Sequence, residues 1–358
     1  MTITEVRAHR VRVALHTPFV TAIRTVLAVE SVLVEVIDAD GCAGWGEGAA
    51  TWKVTGESVP GIEAAATGPL REAVVGRSPA DLADVCLAVE RAVVGNPAAK
   101  AALDIALHDL AARRLGVPLA QLLGSATARV PTDVTLAAGP ATGMAAAAAD
   151  RVREGFDVLK VKVGDGGADE VTRLRRIRDA AGPDVRLRID ANQGWSPRMA
   201  VHTIRAIEDA GVDLELVEQP VTAGDLDGLA FVTAHVHTPV LADESVWSAA
   251  DLLEIVRRRA ADLVNIKLAK CGGIAPARRL IAVAQATGIG VMLGSMMETQ
   301  VGVGAIASLA TVSRSAHVDD LDAAWWLAAS PVRGGIRYDG ATVVLPDAPG
   351  LGIEGLAT

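Results

Sequence analysis

The sequence is most informative first in what it lacks. Its 358 residues include only 3 cysteines. Cys42, Cys86 and Cys271 are widely spaced and form no Cys-x-x-Cys, so neither a disulfide framework nor a zinc site follows from them. A reduced, cytoplasmic setting is the expectation. Basic residues are outnumbered: 34 Lys and Arg against 43 Asp and Glu, a formal charge of −9. That balance argues against a nucleic-acid surface, which needs a clustered basic stripe. The run Arg257-Arg258-Arg259 follows a helical pattern and reads as a solvated helix face. Charges interrupt every apolar stretch before the roughly 18 residues that a membrane span requires, and residues 1–16 lack the apolar run of a signal peptide. Neither a membrane nor an export route is expected.

Several catalytic signatures are also missing. No Gly-x-Ser-x-Gly elbow occurs. His108 and His202 lie in helical patterns without His-Glu-x-x-His, which makes them structural residues. Gly164-Asp165-Gly166-Gly167 follows a strand but has neither dinucleotide nor P-loop spacing, so a turn is expected there.

What is present is abundant core material, 51% hydrophobic against 22% charged residues. Residues 3–15 and 31–38 alternate with period two, and Asp40-Gly41 with Gly44-Trp45-Gly46-Glu47 supplies turns for an antiparallel meander. Residues 58–123 turn helical, with Ala98–Leu115 apolar at three- and four-residue steps and Gly116 as a stop. Residues 1–125 therefore read as an α+β domain.

From Val130-Pro131 short apolar strands alternate with amphipathic helices: Thr132–Leu136, Val158–Val163, Arg186–Asp190, Leu214–Glu218, Val240–Asp243, Leu263–Lys267, Gly290–Gly294 and a weaker His317–Asp320. This α/β rhythm fits a TIM-type barrel over residues 126–330 better than an open sheet. Residues 331–358 read as strands and turns that return to the first domain.

In such a barrel, chemistry gathers at the C-terminal strand ends. Here those ends carry Lys160 and Lys162, Asp190, Glu218, Asp243 and Lys267. One acid at a strand end is ordinarily a cap or an ion-pair partner. Three on successive strands repel one another, and a divalent cation with hard oxygen ligands, Mg²⁺, offsets that repulsion. Asn192 and Glu244 sit beside these ligands and are candidates to support them. Lys162 and Lys267 flank the acids from opposite sides, a two-base arrangement. Lys160 shares a strand face with Lys162, and a neighbouring ammonium is expected to depress the pKa of its partner, as a lysine base requires. The chemistry implied is removal of a proton next to a carboxylate, followed by return of a proton to the other face.

The residues Lys160-x-Lys162, Asp190-Ala-Asn-Gln-Gly-Trp195, Val217-Glu-Gln-Pro220, Ala242-Asp-Glu-Ser245 and Asn265-Ile-Lys267 resemble the muconate-lactonizing subgroup of the enolase superfamily. The resemblance implies a capping α+β domain, a modified (β/α)₇β barrel and one Mg²⁺ per active site. Within the subgroup the chain is similar to dipeptide epimerases of the L-Ala-D/L-Glu type. Asp320-Leu321-Asp322 matches their Asp-x-Asp, which binds the dipeptide ammonium. The same resemblance implies substrate contacts from Thr135, Met297 and Glu298, and an ion pair from Arg24, in the loop Thr21–Val26, to an acidic side chain. Gly46-Glu47 and Thr51–Gly56 would form a second covering loop. Trp52, Lys53, Trp325 and Trp326 bear on side-chain preference, although a tryptophan is more commonly core. A homo-oligomer and a small-molecule dipeptide are the expected partners. Rival readings are a muconate cycloisomerase, an o-succinylbenzoate synthase or N-acylamino acid racemase, or a noncatalytic metal-binding barrel.

Overall fold

A computed structural model describes residues 2–20, 25–164 and 168–357. Strands β1 (Ile3–Val20), β2 (Thr25–Asp38) and β3 (Ala43–Ala49) form an antiparallel meander in the order β1-β2-β3. Helices α1 (Val59–Thr67), α2 (Pro69–Val74), α3 (Leu82–Ala92), α4 (Pro97–Leu115) and α5 (Leu119–Leu123) follow. β1 and β2 extend beyond the predicted 3–15 and 31–38, because the pair continues as a long hairpin past Ala14. Pro97 opens α4, and Gly116, in the left-handed region at φ 69°, ends it.

The sheet packs on α4 at unusually short range. A Cβ on Gly46 would lie 1.9 Å from the Ala102 carbonyl oxygen, and one on Gly44 would lie 2.2 Å from that of Ala106. Glycine on the strand facing alanine on the helix is what permits this approach.

After the short β4 (Arg129–Pro131) comes the repeating unit: β5 (Val134–Leu136), α6 (Ala141–Arg153), β6 (Val158–Lys162), α7 (Ala168–Ala181), β7 (Arg186–Asp190), α8 (Pro197–Asp209), β8 (Leu214–Glu218), α9 (Leu226–His235), β9 (Val240–Ala242), α10 (Ala249–Arg258), β10 (Leu263–Lys267), α11 (Leu268–Cys271), α12 (Ile274–Thr287), β11 (Gly290–Gly294) and α13 (Gln300–Ser313). Among the described residues, β5 to β11 form one parallel sheet in strict sequence order. The expected strand His317–Asp320 is reduced to single bridges, Asp319 to Thr132 and Asp320 to Gly294. These bridges join β11 back to the β5 side, so a (β/α)₇β ring closes with an abbreviated eighth position.

The tail forms β12 (Val332–Gly334), β13 (Arg337–Asp339), β14 (Thr342–Val344) and β15 (Ile353–Leu356). β14 pairs with β4 and β12 with β15. The tail backbone also meets the helices of the N-terminal region: Leu119 N–H donates to Gly350 O at 2.8 Å and Leu351 N–H to Asp109 at 2.5 Å. No described helix is long and apolar enough to cross a membrane.

Candidate active site

The strand-end side chains converge on one cavity, lined by Thr135, Lys160, Lys162, Asn192, Asp243, Glu244, Lys267, Met297, Asp320 and Asp322, with Phe19 and Val54 from the N-terminal region. Ring position explains who faces whom. β6 and β10 are four strands apart in an eight-position ring, so Lys162 and Lys267 approach from opposite walls. β8, which bears Glu218, is likewise four positions from the closing segment with Asp320 and Asp322. Acids occupy the wall from β7 to β9, the Asp-x-Asp faces them, and one lysine stands on each side.

The backbone at the acid wall is unusual. Asn192, Gln193 and Gln219 have φ of 43°, 68° and 35°, left-handed values that a non-glycine residue adopts only when its surroundings compel it. They are held by local bonds. Asn192 N–H donates to Asp190 Oδ1 at 2.8 Å. The Gln219 amide joins the two strand ends, accepting from Asp243 N–H at 2.9 Å and donating to Ser245 Oγ at 2.8 Å.

The wall is strongly anionic. Burial, then Asp190 and Asp243, push Glu218 up to about 7, against the opposing pull of Lys160. Burial and the same two aspartates push Glu244 to about 7. Burial also raises Asp243, but Lys267 and Lys270 pull it well below the usual carboxylate range. Lys267 Nζ donates to Asp243 Oδ2 at 2.8 Å, and Lys270 Nζ donates to Oδ1 at 2.5 Å. Glu244 Oε2 and Asn192 Oδ1 are buried without a hydrogen-bond partner. Hard oxygens on three adjacent strands, some of them orphaned and mutually repelling, fit a hard divalent cation held by Asp190, Glu218 and Asp243, with Asn192 and Glu244 beside them.

Lys160 is surrounded by carboxylates. Its ammonium lies 2.7 Å from Glu218, 2.7 Å from Asp320 and 3.5 Å from Asp190. Burial disfavours this charge, but those carboxylates more than offset the effect and hold its pKa well above normal. Lys267 is likewise raised, chiefly through Asp243. Lys160 and Lys267 therefore answer to carboxylates more than to each other. Lys162 Nζ donates to Asp190 Oδ2 at 2.5 Å.

Asp320 is ion-paired to Lys160, whereas among the described residues Asp322 accepts only from neutral donors, Thr135 N–H at 2.7 Å and Trp326 Nε1–H at 2.9 Å. Burial and Asp320 raise the pKa of Asp322. Trp326 is buried and Trp325 half-buried; Trp52 is 73% exposed.

Glu298 is buried; its Oε1 accepts from Met296 N–H at 3.2 Å, and burial together with Glu47 pushes its pKa to about 8. One expectation on placement needs correction. Glu47 belongs to no covering loop. It is buried in β3 and caps α13, accepting from Thr299 Oγ1 at 2.6 Å and Gly302 N–H at 2.8 Å. Arg24 and most of its loop lie outside the described residues. Sequence reasoning missed Lys270, and it named Trp326 without its bond to Asp322. The signals were spacing: three residues after Lys267 and four after Asp322, one helical turn each.

Residues 3–124 match the mandelate racemase / muconate lactonizing enzyme N-terminal domain family, and residues 143–356 match the enolase C-terminal domain-like family. The chain is 43% identical over 358 residues to the L-Ala-D/L-Glu epimerase of Bacillus subtilis (strain 168), covering 100% of this chain and 98% of the relative. A substrate-liganded structure of the L-Ala-D/L-Glu epimerase from Bacillus subtilis superimposes with a TM-score of 0.97 at 42% identity, covering 100% of both chains. The dipeptide epimerase from Enterococcus faecalis V583, complexed with Mg and L-Leu-L-Tyr, gives 0.94 at 39% identity, covering 99% of each.

Proposed function

The chain belongs to the mandelate racemase / muconate lactonizing enzyme family of the enolase superfamily, and from that premise we propose that it is a Mg²⁺-dependent dipeptide epimerase, an isomerase that inverts the Cα of the C-terminal residue. L-Ala-D/L-Glu and related dipeptides are the proposed substrates, after the relatives of those names. The observation that carries the reading is the arrangement around the ring, in which Lys162 and Lys267 line the cavity from opposed strands while Asp320 and Asp322 line it opposite the strand that carries the buried Glu218.

Asp190, Glu218 and Asp243 would hold one Mg²⁺, which supplies a Lewis acid that stabilises negative charge on the substrate carboxylate. The rest belongs to the chain. Asp322, with Asp320, takes the dipeptide's ammonium and so fixes the distance from that charge to the reacting Cα. Lys160, charged and central, is placed to hold carboxylate oxygens. One of Lys162 and Lys267 removes the Cα proton, and the other, protonated, delivers one to the opposite face. Each lysine exchanges roles when the other epimer is the substrate.

A cycloisomerase or o-succinylbenzoate synthase would use the same metal and lysines but gives Asp322 no cation to receive. A noncatalytic barrel has no use for opposed lysines. The discriminating experiment compares a free dipeptide with its N-acetylated form at saturating Mg²⁺. The expected result is epimerisation of the free dipeptide, with kcat/KM for the acetylated one at least about a hundredfold lower. Equal turnover of both would point to an N-acylamino acid racemase instead.

A further inference from the structure

Outside the cavity just described, three potential metal ligands meet inside the N-terminal helices. Cys86 on α3 and Asp104 and His108 on α4 are 4%, 2% and 4% exposed, and one ligand atom from each lies within 4.8 Å of the other two. Cys86 Sγ is 3.9 Å from His108 Nδ1, which is 3.3 Å from Asp104 Oδ1. Nδ1 is also 2.8 Å from the Asp104 carbonyl oxygen.

We propose that Cys86, Asp104 and His108 form a second metal site, distinct from the Mg²⁺ site, that takes a thiophilic divalent cation of the Zn²⁺ class. Thiolate, imidazole and carboxylate are all donors such ions accept, and the 3.9 Å sulfur–nitrogen and 3.3 Å nitrogen–oxygen separations are close to those of neighbouring corners in a tetrahedron.

Two further features support it. The carboxylate is oriented from behind, with Ile274 N–H donating to Asp104 Oδ1 at 2.5 Å and Ala275 N–H at 3.3 Å, as outer partners orient metal ligands. There is also an entry path: a cavity of about 430 Å³ is lined by Cys86 and Asp104 together with Lys100, Trp247, Cys271 and Pro276.

Coordination displaces the Cys86 thiol proton to solvent, and His108 binds through Nδ1 as a neutral imidazole that keeps its proton on Nε2. The ion would link α3 and α4 to the first turn of α12, which follows directly on the segment from Lys267 to Gly273.

Co²⁺ titrated into the full-length, Mg²⁺-saturated protein tests this, because a thiolate ligand adds an intense sulfur-to-cobalt absorption that an all-oxygen site cannot give. The expected result is one thiolate-bound Co²⁺ per chain. Its affinity should fall at least about a hundredfold in Cys86→Ala and in His108→Gln, with Mg²⁺-dependent activity retained. Absence of the band in the native protein overturns the proposal, as does a band of equal intensity in Cys86→Ala. Neither result bears on the epimerase reading.

Discussion

At the residue scale, the cavity is organised by which charges have been answered from within the chain. Asp320 has Lys160, Asp190 has Lys162, and Asp243 has Lys267 and Lys270. Asp322 has a backbone N–H and an indole. On the proposed reading Trp326 is a positioning residue: it would hold Asp322 for a ligand's ammonium, and it stacks on His16 at 5.3 Å and meets Phe19 edge-on at 5.1 Å. Trp326→Phe removes one hydrogen bond to a charged group and keeps most of the packing. The dipeptide KM should rise about tenfold with kcat changed far less; an unchanged KM would remove Trp326 from substrate positioning. The Asp-x-Asp spacing was visible in sequence, but the indole was not, because a tryptophan among apolar neighbours has no mark that separates a hydrogen-bond donor from a core residue. The lysine electrostatics were likewise hidden. Period two placed Lys160 beside Lys162 correctly, yet the carboxylates that govern Lys160 come from β7, β8 and the closing segment, up to 160 residues away.

At the element scale, strands were legible where both faces are buried. Arg186–Asp190, Leu214–Glu218, Leu263–Lys267 and Gly290–Gly294 match their predicted limits, because each is a short apolar-rich segment set between two helical patterns. The closing segment was the least legible, since its pairing rests on isolated bridges and side chains. Below the cavity a buried cluster secures that segment. Arg188 on β7 donates to Asp133 at 2.9 Å, to Glu215 on β8 at 2.6 Å and to the Val318 carbonyl at 2.7 Å. His317 reaches Glu215 at 3.0 Å. Burial raises Glu215, but His317, Arg188 and Arg186 hold its pKa at about 2, below the usual 4.5. A lowered folded-state pKa contributes stability above the unfolded value that is lost as pH falls through the folded one. In Glu215→Gln that contribution, on the order of 2 kcal/mol for a partly exposed group, is absent. The stability gap between the native protein and the variant should therefore shrink between about pH 4.5 and pH 2. Denaturant unfolding across that window measures it; a gap independent of pH would show that Glu215 acts through packing alone.

At the scale of the whole molecule, the N-terminal region and the barrel form one site. Phe19 and Val54 line the cavity, Glu47 caps α13 from β3, and Asp104 caps α12 from α4. This joining was only partly legible, because Gly46-Glu47 reads locally as a turn and only the helix N-terminus opposite explains a buried glutamate. The catalytic ring itself was legible because strand order follows chain order, so sequence position converts directly to angular position. That conversion underlies the central claim that Lys162 and Lys267 act on opposite faces of one Cα. Proton NMR in D₂O tests it most directly, following the Cα–H of the C-terminal residue in each epimer of Ala-Glu with native protein, Lys162→Ala and Lys267→Ala, all at saturating Mg²⁺. The native protein should exchange and interconvert both epimers. Each variant should lose epimerisation while still exchanging a single epimer, and the two variants should retain opposite ones. Exchange of both epimers by either variant, or of the same epimer by both, would contradict the two-face assignment.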